Sequence, residues 1–276
     1  MVTNGAGEVE LLADVDRPGG WLVLVDRIRQ SYVDLDDPTY LDFEYVQAFA
    51  ELIDLLPPGA LAVTHVGGAG CTLARYVATQ RPGSPQIVLE PDEALTATVR
   101  ERLPFPRGAR IRVRPMRGRE GVQGLRDESA DVLVLDAFHG GRVPPELTTV
   151  EFLTDVSRVL RPGGVLLANV ADGPPLTYTR RLAATAGTVF GSTPGAVALR
   201  ADPAVFRARR FGNVVLMAGR GQLPLEPLIR SAAGAMFAQR VLAGKGLRDF
   251  VAGAAPLTDA DPLRSPAPPD ELWRVQ

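Results

Sequence analysis

The stretch Leu61-Ala62-Val63-Thr64-His65-Val66-Gly67-Gly68-Ala69-Gly70-Cys71-Thr72-Leu73-Ala74-Arg75-Tyr76 decides how this chain is read. An apolar run of strand type ends in a cluster of glycines. The pattern then changes to a helical period, with Leu73, Tyr76 and Val77 spaced for one face. The reading is strand, tight turn, helix. Glycines let a backbone approach a ligand closely, and a helix N-terminus offers N–H groups without a partner inside the helix. The next strand, Gln86-Ile87-Val88-Leu89, runs into Glu90. A carboxylate there can accept both hydroxyl hydrogens of a ribose. Turn and acid together point to a nucleoside-cofactor site at the edge of an α/β sheet, while a Gly-rich turn alone is weak evidence, some such turns being plain tight connections.

Working outward, Trp21-Leu22-Val23-Leu24-Val25 and Ile28-Arg29-Gln30-Ser31-Tyr32-Val33 read as two short strands around Asp26-Arg27, a hairpin. Residues 1–19 are polar, contain Gly and Pro, and are expected to start loosely ordered. After a loop at 34–39, Phe43, Val46, Phe49, Ala50 and Ile53 form one helical stripe, which Pro57-Pro58-Gly59 stops. Beyond Glu90, a helix is expected from about Asp92 to Leu103, a short strand at 110–113 and a short helix near 119–125. A buried strand follows at 131–136, then a helix at 149–160, a strand at 165–170 and a helix near 176–188. Strands alternating with helices imply right-handed crossovers and a mostly parallel sheet. The last two strands, 196–199 and 213–218, have no crossover helix between them and are expected to pair antiparallel. Residues 225–250 suggest one or two helices, and the proline-containing tail from 255 is expected to be irregular. The expected fold is α/β and Rossmann-like: a mostly parallel seven-stranded sheet with an antiparallel edge strand, plus a short N-terminal β-hairpin. Its expected division is 1–56 for hairpin and helix, 57–254 for the nucleoside-binding domain and 255–276 for the tail.

Composition limits the function classes. A content of 46% hydrophobic residues in 276 supports a sizeable core. A net charge of −2 gives no global pull towards nucleic acid or an anionic membrane. Arginine dominates the basic residues, Lys245 being the only lysine, which reads as coding bias and not as an RNA-binding signature. A single cysteine, Cys71, excludes an intrachain disulfide and a cysteine zinc site, and His65 and His139 alone leave little for a histidine-based metal site. No signal peptide is visible, and no apolar run reaches the roughly 18 residues of a membrane span. A cytoplasmic protein without metal, nucleic acid or membrane partners is expected.

Asp136 closes the strand 131–136, and the carboxyl ends of parallel strands line the ligand crevice. Beside Gly140-Gly141 it can orient or deprotonate an amine nucleophile, or it can simply cap a loop. His139, three residues on, is either a substrate contact or an ordinary surface histidine. His65 lies inside the first strand and is expected to face a neighbouring helix. Cys71 has no base partner and reads as a small packed residue. Gln30, Tyr32, Tyr40 and Asp42 flank the loop before the fold proper, where they would cover a ligand or be plain loop composition.

Over roughly residues 21–220 the chain resembles the spermidine synthase (polyamine aminopropyltransferase) family, a branch of the AdoMet-dependent methyltransferase fold. Asp26-Arg27-Ile28-Arg29-Gln30 is similar to the family's D-G-x-x-Q hairpin, and Tyr40-Leu41-Asp42 to its Tyr-His-Glu. Gly67-Gly68-Ala69-Gly70 is similar to Gly-Gly-Gly-Asp, and Leu89-Glu90-Pro91-Asp92 to V-E-I-D. The strand 131–136 resembles the one ending in the catalytic aspartate, and Leu160-Arg161-Pro162-Gly163-Gly164 is common across the wider fold. The resemblance implies that Gln30 contacts the thioether nucleoside, Glu90 the ribose and Asp136 the attacking amine. The amine attacks the aminopropyl carbon of decarboxylated AdoMet and displaces methylthioadenosine. The resemblance also implies a homodimer.

Departures from the family fall on the substrate side. Gly70 stands where a carboxylate holds the aminopropyl amine and would repel the carboxylate of ordinary AdoMet. Leu41 replaces a histidine, His139 an acid, and Arg117 an acid that often faces the adenine. At ~1 kcal/mol or more per charge-assisted contact, such losses weaken the grip on a dicationic acceptor. The sequence therefore leaves three readings: aminopropyl transfer to a small amine, methyl transfer from intact AdoMet, and a non-catalytic nucleoside-binding member of the fold.

Overall fold

The computed structural model describes residues 7–191 and 193–269. Val9–Ala13 (β1), Gly20–Val25 (β2) and Ile28–Asp34 (β3) form an antiparallel meander, followed by Glu44–Leu55 (α1). The main sheet and its helices come next, in the order Val63–Val66 (β4), Thr72–Gln80 (α2), Pro85–Leu89 (β5), Glu93–Arg102 (α3), Arg110–Arg114 (β6), Gly118–Gln123 (α4), Ala130–Leu135 (β7), Val150–Val159 (α5), Leu160–Asp172 (β8) and Thr177–Phe190 (α6). Val197–Ala201 (β9), Pro203–Phe206 (α7), Gly212–Gly219 (β10), Leu225–Gly234 (α8), Arg240–Ala243 (β11) and Gly244–Val251 (α9) complete it. The strands lie in the order β11-β9-β10-β8-β7-β4-β5-β6. β8, β7, β4, β5 and β6 run parallel, while β10 is antiparallel to β8 and to β9.

This is the expected α/β architecture with one strand more than anticipated. β11 adds to β9 antiparallel, in a region whose composition suggests only helices. Its four residues are too few for a periodicity to emerge. The N-terminal hairpin also gains a strand, β1, where a loose start is expected; residues 1–6 of that stretch lie outside the described residues.

β7 shows why the sheet is buried on both faces. Val132 and Val134 pack with α1 and α2, while Leu133 and Leu135 pack with α5 and α6. None of the four is more than 3% exposed. Burying each such side chain contributes about 1.5–3 kcal/mol, which is why the sequence there is continuously apolar and not alternating. Charged residues mark the element ends. Asp131 accepts from the Ala62 N–H at 2.7 Å and pairs with Arg161 at 2.7 Å. Asp92 caps α3 through the Leu95 N–H at 2.9 Å, and Thr149 caps α5 through that of Phe152 at 3.3 Å. The tail has no helix or strand up to residue 269 and is still anchored. Leu257 and Ser265 are fully buried, and the Leu257 carbonyl accepts from the Val150 N–H at 2.8 Å. No helix among the described residues is long and apolar enough to cross a membrane.

The loop between β2 and β3 is two residues, Asp26 and Arg27, with φ of 50° and 64°. Positive φ at both places is the mark of a type I′ turn, which suits the strand twist and favours Asn-Gly. Asp26 compensates by accepting from the Glu8 N–H at 3.0 Å, whereas Arg27 is exposed and gains no bond. Arg27→Gly is therefore expected to stabilise the protein by about 0.5–1 kcal/mol in urea unfolding. A loss of stability would show that the arginine side chain holds the turn.

Candidate functional site

The order of the strands reverses between β4 and β7, since β5 and β6 extend one way from β4 and β7 returns on its other side. Ligands in open α/β sheets bind at such a switch point, outside the carboxyl ends of the strands. Gly67 leaves β4 there with φ of 91°. A Cβ on it would lie 2.2 Å from the Asp136 carbonyl oxygen, so any other residue would push the two strand ends apart. A Cβ on Gly68 would meet the Val88 side chain at 2.6 Å. The turn continues through Ala69 and Cys71, which are not glycines yet have φ of 37° and 58°. Arg75, 2% exposed, holds it from behind by donating to the carbonyls of Gly70 at 3.0 Å and Pro104 at 2.7 Å.

In front of the turn opens a cleft of about 460 Å³. Gln30, Gly67, Gly68 and Asp136 line it. An inner chamber of about 40 Å³ continues from it towards His65, sharing Ser31, Asp42, Tyr45 and Asp136. The Asp136 carboxyl is the chemical centre. Its Oδ2 accepts from the Tyr45 hydroxyl at 3.1 Å and its Oδ1 from the Asn169 amide at 3.0 Å. Asn213 donates in turn to Asn169 Oδ1 at 2.9 Å, which orients the amide so that its NH₂ faces the carboxyl. Burial pushes the Asp136 pKa up to about 6, against the opposing pull of these two donors. Burial and the nearby Asp136 charge raise the Tyr45 hydroxyl well above its usual range, so it remains a donor.

Glu90 is not in the cleft lining; it borders a small neighbouring pocket together with Gly68 and Ala69. One oxygen accepts from the N–H groups of Gly68 at 3.0 Å and Ala69 at 3.4 Å, the other from that of Asp92 at 3.0 Å. A ribose using both oxygens would displace the long bond from Ala69. Gly70 is buried under the meander, its N–H donating to Ser31 Oγ at 3.1 Å. Tyr40, Arg117 and His139 are not among the residues lining the cleft. Tyr40 packs edge-on against Tyr32 and under the Arg17 guanidinium, 3.7 Å from its ring centre. Arg117 is exposed at the start of α4. His139 is exposed in a tight turn, where its N–H donates to the Arg142 carbonyl at 2.8 Å. Cys71 is buried and its thiol is pushed up to about 12 by that burial, which makes it a packing residue.

Sequence reading passed over Tyr45, Asn169 and Asn213. The signal for Asn169 was present, an amide inside an otherwise apolar strand. Tyr45 lies five residues beyond Tyr40, and Tyr45-Val46-Gln47 fits a Tyr-His-Glu pattern as well as Tyr40-Leu41-Asp42 does. Only the packing of α1 on β7 shows which tyrosine reaches the aspartate. Arg200 is also relocated, from the expected connection into β9, where it is buried and pairs with Glu51 of α1. Among the described residues no group of three His, Cys, Asp or Glu side chains is placed to hold a metal ion.

The fold superposes on the crystal structure of a probable spermidine synthase from Corynebacterium glutamicum ATCC 13032 with a TM-score of 0.83 and 30% identity, over 94% of this chain and 97% of that one. The polyamine aminopropyltransferase of Chromobacterium violaceum is 28% identical over 145 residues, 52% of this chain and 55% of that protein. That of Vibrio vulnificus is 30% identical over 152 residues, 54% of this chain and 50% of that protein. The chain thus matches about half the length of these curated relatives. No protein-family model matches it.

The raised pKa has a thermodynamic consequence. A carboxyl whose folded pKa lies above its unfolded value favours folding while protonated, and that contribution is lost as pH rises through the folded value. Asp136 should therefore cost stability between pH 4 and pH 7. The difference in unfolding free energy between Asp136→Asn and the natural chain is expected to grow by about 2–3 kcal/mol over that range, measured by urea titration at each pH. A flat difference would mean that the carboxyl titrates normally.

Proposed function

Because the chain belongs to the spermidine synthase-like family, we propose that it transfers an aminopropyl group from decarboxylated AdoMet to a small amine acceptor. The observation that carries this reading is the Asp136 carboxyl, held by Tyr45 and Asn169 at the cleft floor with a pKa near 6. The cleft volume of about 460 Å³ suits a nucleoside and a short amine. Gly67 and Gly68 bring bare backbone to the nucleoside, Gln30 faces its thioether side, and Glu90 takes the ribose where the nucleoside extends past Gly68 and Ala69 into the small neighbouring pocket. Tyr40, Arg117 and His139 take no direct part.

A sulfonium is already a good leaving group, so the protein has to position the two partners and keep the amine unprotonated. Asp136 accepts a hydrogen from the attacking nitrogen and fixes its lone pair towards the methylene carbon beside the sulfur. As the C–N bond forms, the C–S bond breaks, its electron pair stays on sulfur and neutral methylthioadenosine departs. The proton shed by the new secondary ammonium passes to Asp136. A carboxylate of ordinary pKa would be a poor base for this, and the shift to about 6 brings it nearer to working pH. Tyr45 and Asn169 each donate to one carboxylate oxygen, which holds the plane of the base while leaving a lone pair on each oxygen. The same reading implies a homodimer in the cytoplasm, free of metal, nucleic acid and membrane.

Asp136→Asn is expected to abolish transfer while methylthioadenosine affinity, measured by calorimetry, stays within a few-fold. In the natural chain kcat/KM should fall about tenfold per pH unit below about pH 6, because the base must be ionised. Undiminished turnover in the variant would remove Asp136 from the mechanism. Tighter binding of intact than of decarboxylated AdoMet would favour methyl transfer instead.

A further inference from the structure

The inner chamber is lined by groups that accept hydrogen bonds. The Tyr45 hydroxyl donates to Asp136, and that of Thr72 donates to the Tyr32 carbonyl at 2.7 Å. The N–H groups of Gly67 and Gly68 are engaged by the Leu89 carbonyl at 2.9 Å and Glu90 at 3.0 Å. His65 is 5% exposed, and its Nε2 lies 2.9 Å from Gln86 Oε1. Gln86 donates its NH₂ to the Ala74 carbonyl at 2.8 Å, so its oxygen faces the imidazole and Nε2 must carry the hydrogen. Nδ1 is thereby a bare acceptor with no protein partner among the described residues. Nδ1 is not among the sealed side-chain atoms without a partner, Arg200 Nε being the one such atom among the described residues, and His65 lines the chamber. Burial lowers the His65 pKa to about 4, which keeps this lone pair free near neutral pH.

Two carboxylates complete the lining. Asp136 stands at the mouth, and Asp42 borders both chamber and cleft with no hydrogen bond or ion pair among the described residues. Other acids of the cleft are engaged: Asp202 pairs with Arg210 at 2.7 Å and Glu44 accepts from Gln239 at 3.0 Å. Position 70 cannot supply a carboxylate, because a Cβ there would lie 2.8 Å from Val33 Cγ2 and 2.9 Å from Ser31 Cβ. A cavity with two carboxylates, a bare imidazole nitrogen and the engaged hydroxyls of Tyr45 and Thr72 fits a group with several N–H donors and a positive charge. It repels a carboxylate. One water needs about 10–15 Å³ by the same measure, so 40 Å³ holds an ammonium and its methylene.

We infer that the inner chamber is the subsite for the primary ammonium of the aminopropyl arm, with Asp42 as its counter-charge and His65 Nδ1 as a second acceptor. This rests on the aminopropyl-transfer reading and adds the residues by which this chain selects the decarboxylated co-substrate. Calorimetry on the full chain with methylthioadenosine, decarboxylated AdoMet and AdoMet tests it in Asp42→Asn and, separately, His65→Leu. Methylthioadenosine lacks the arm, so its binding reports a folded nucleoside site in each variant. Asp42→Asn is expected to weaken decarboxylated AdoMet about ten- to hundredfold, leave methylthioadenosine within twofold and narrow the preference over AdoMet. His65→Leu should act in the same direction to a smaller extent. Unchanged affinity for decarboxylated AdoMet in both variants, with methylthioadenosine still bound, would overturn the subsite and leave the transfer reading intact. Failure of the natural chain to bind any of the three would overturn both.

Discussion

Gly67 passes so close to the Asp136 carbonyl that there is no room for a single additional carbon atom. The rest of the site depends on that contact. It lets β4 and β7 stay paired up to the ends where their chains diverge, Gly67 turning into α2 and Asp136 into the loop beyond β7. It puts the Asp136 carboxyl and the glycine turn together at the carboxyl ends of the strands without any side chain between them. A larger residue would have to separate two parallel strands that are buried on both faces, and the apolar contacts on either side oppose that movement.

Around this point the structure sets burial against hydrogen bonding. The Asp136 carboxyl is removed from water enough to raise its pKa, while Tyr45 and Asn169 lower it and prevent it from being simply neutral. The balance is possible because the donors come from separate elements, α1 and β8, each fixed by its own core contacts. Arginines provide much of that fixation. Arg75 ties the glycine turn to the end of α3, and Arg81 gathers the carbonyls of Ile53, Leu56 and Pro57 at the end of α1. Arg200 joins the sheet to α1 through Glu51. A planar guanidinium spreads five donors over three nitrogens in a rigid fork and so reaches carbonyls several ångströms apart, whereas the three donors of a lysine sit on one atom. The arginine content that looks like coding bias therefore also has a structural use in this chain.

The alternation of strands and helices was legible because each element is long enough for its period to appear, and because β7 and β8 must be apolar on both faces. The placement of Gly67, Gly68 and Asp136 around one cleft was legible for a related reason: it follows from position at the ends of neighbouring strands. β1 and β11 were not, being short segments whose pairing is settled by neighbours distant in sequence. The choice between Tyr40 and Tyr45 was equally invisible. Both sit near the start of α1, and only the angle at which that helix meets β7 makes one a partner of Asp136 and the other a cover for Arg17.

Gly70 shows the division most clearly. The sequence by itself determined that no carboxylate stands at the end of the glycine turn. The tertiary structure decided why: Ser31 and Val33 of β3 occupy the space, while Asp42, from the segment before α1, lines the inner chamber. Strand-and-turn chemistry is local and can be read along the chain. Which charges meet inside a cavity depends on three or four segments brought together by packing, and that information is not held in any one of them.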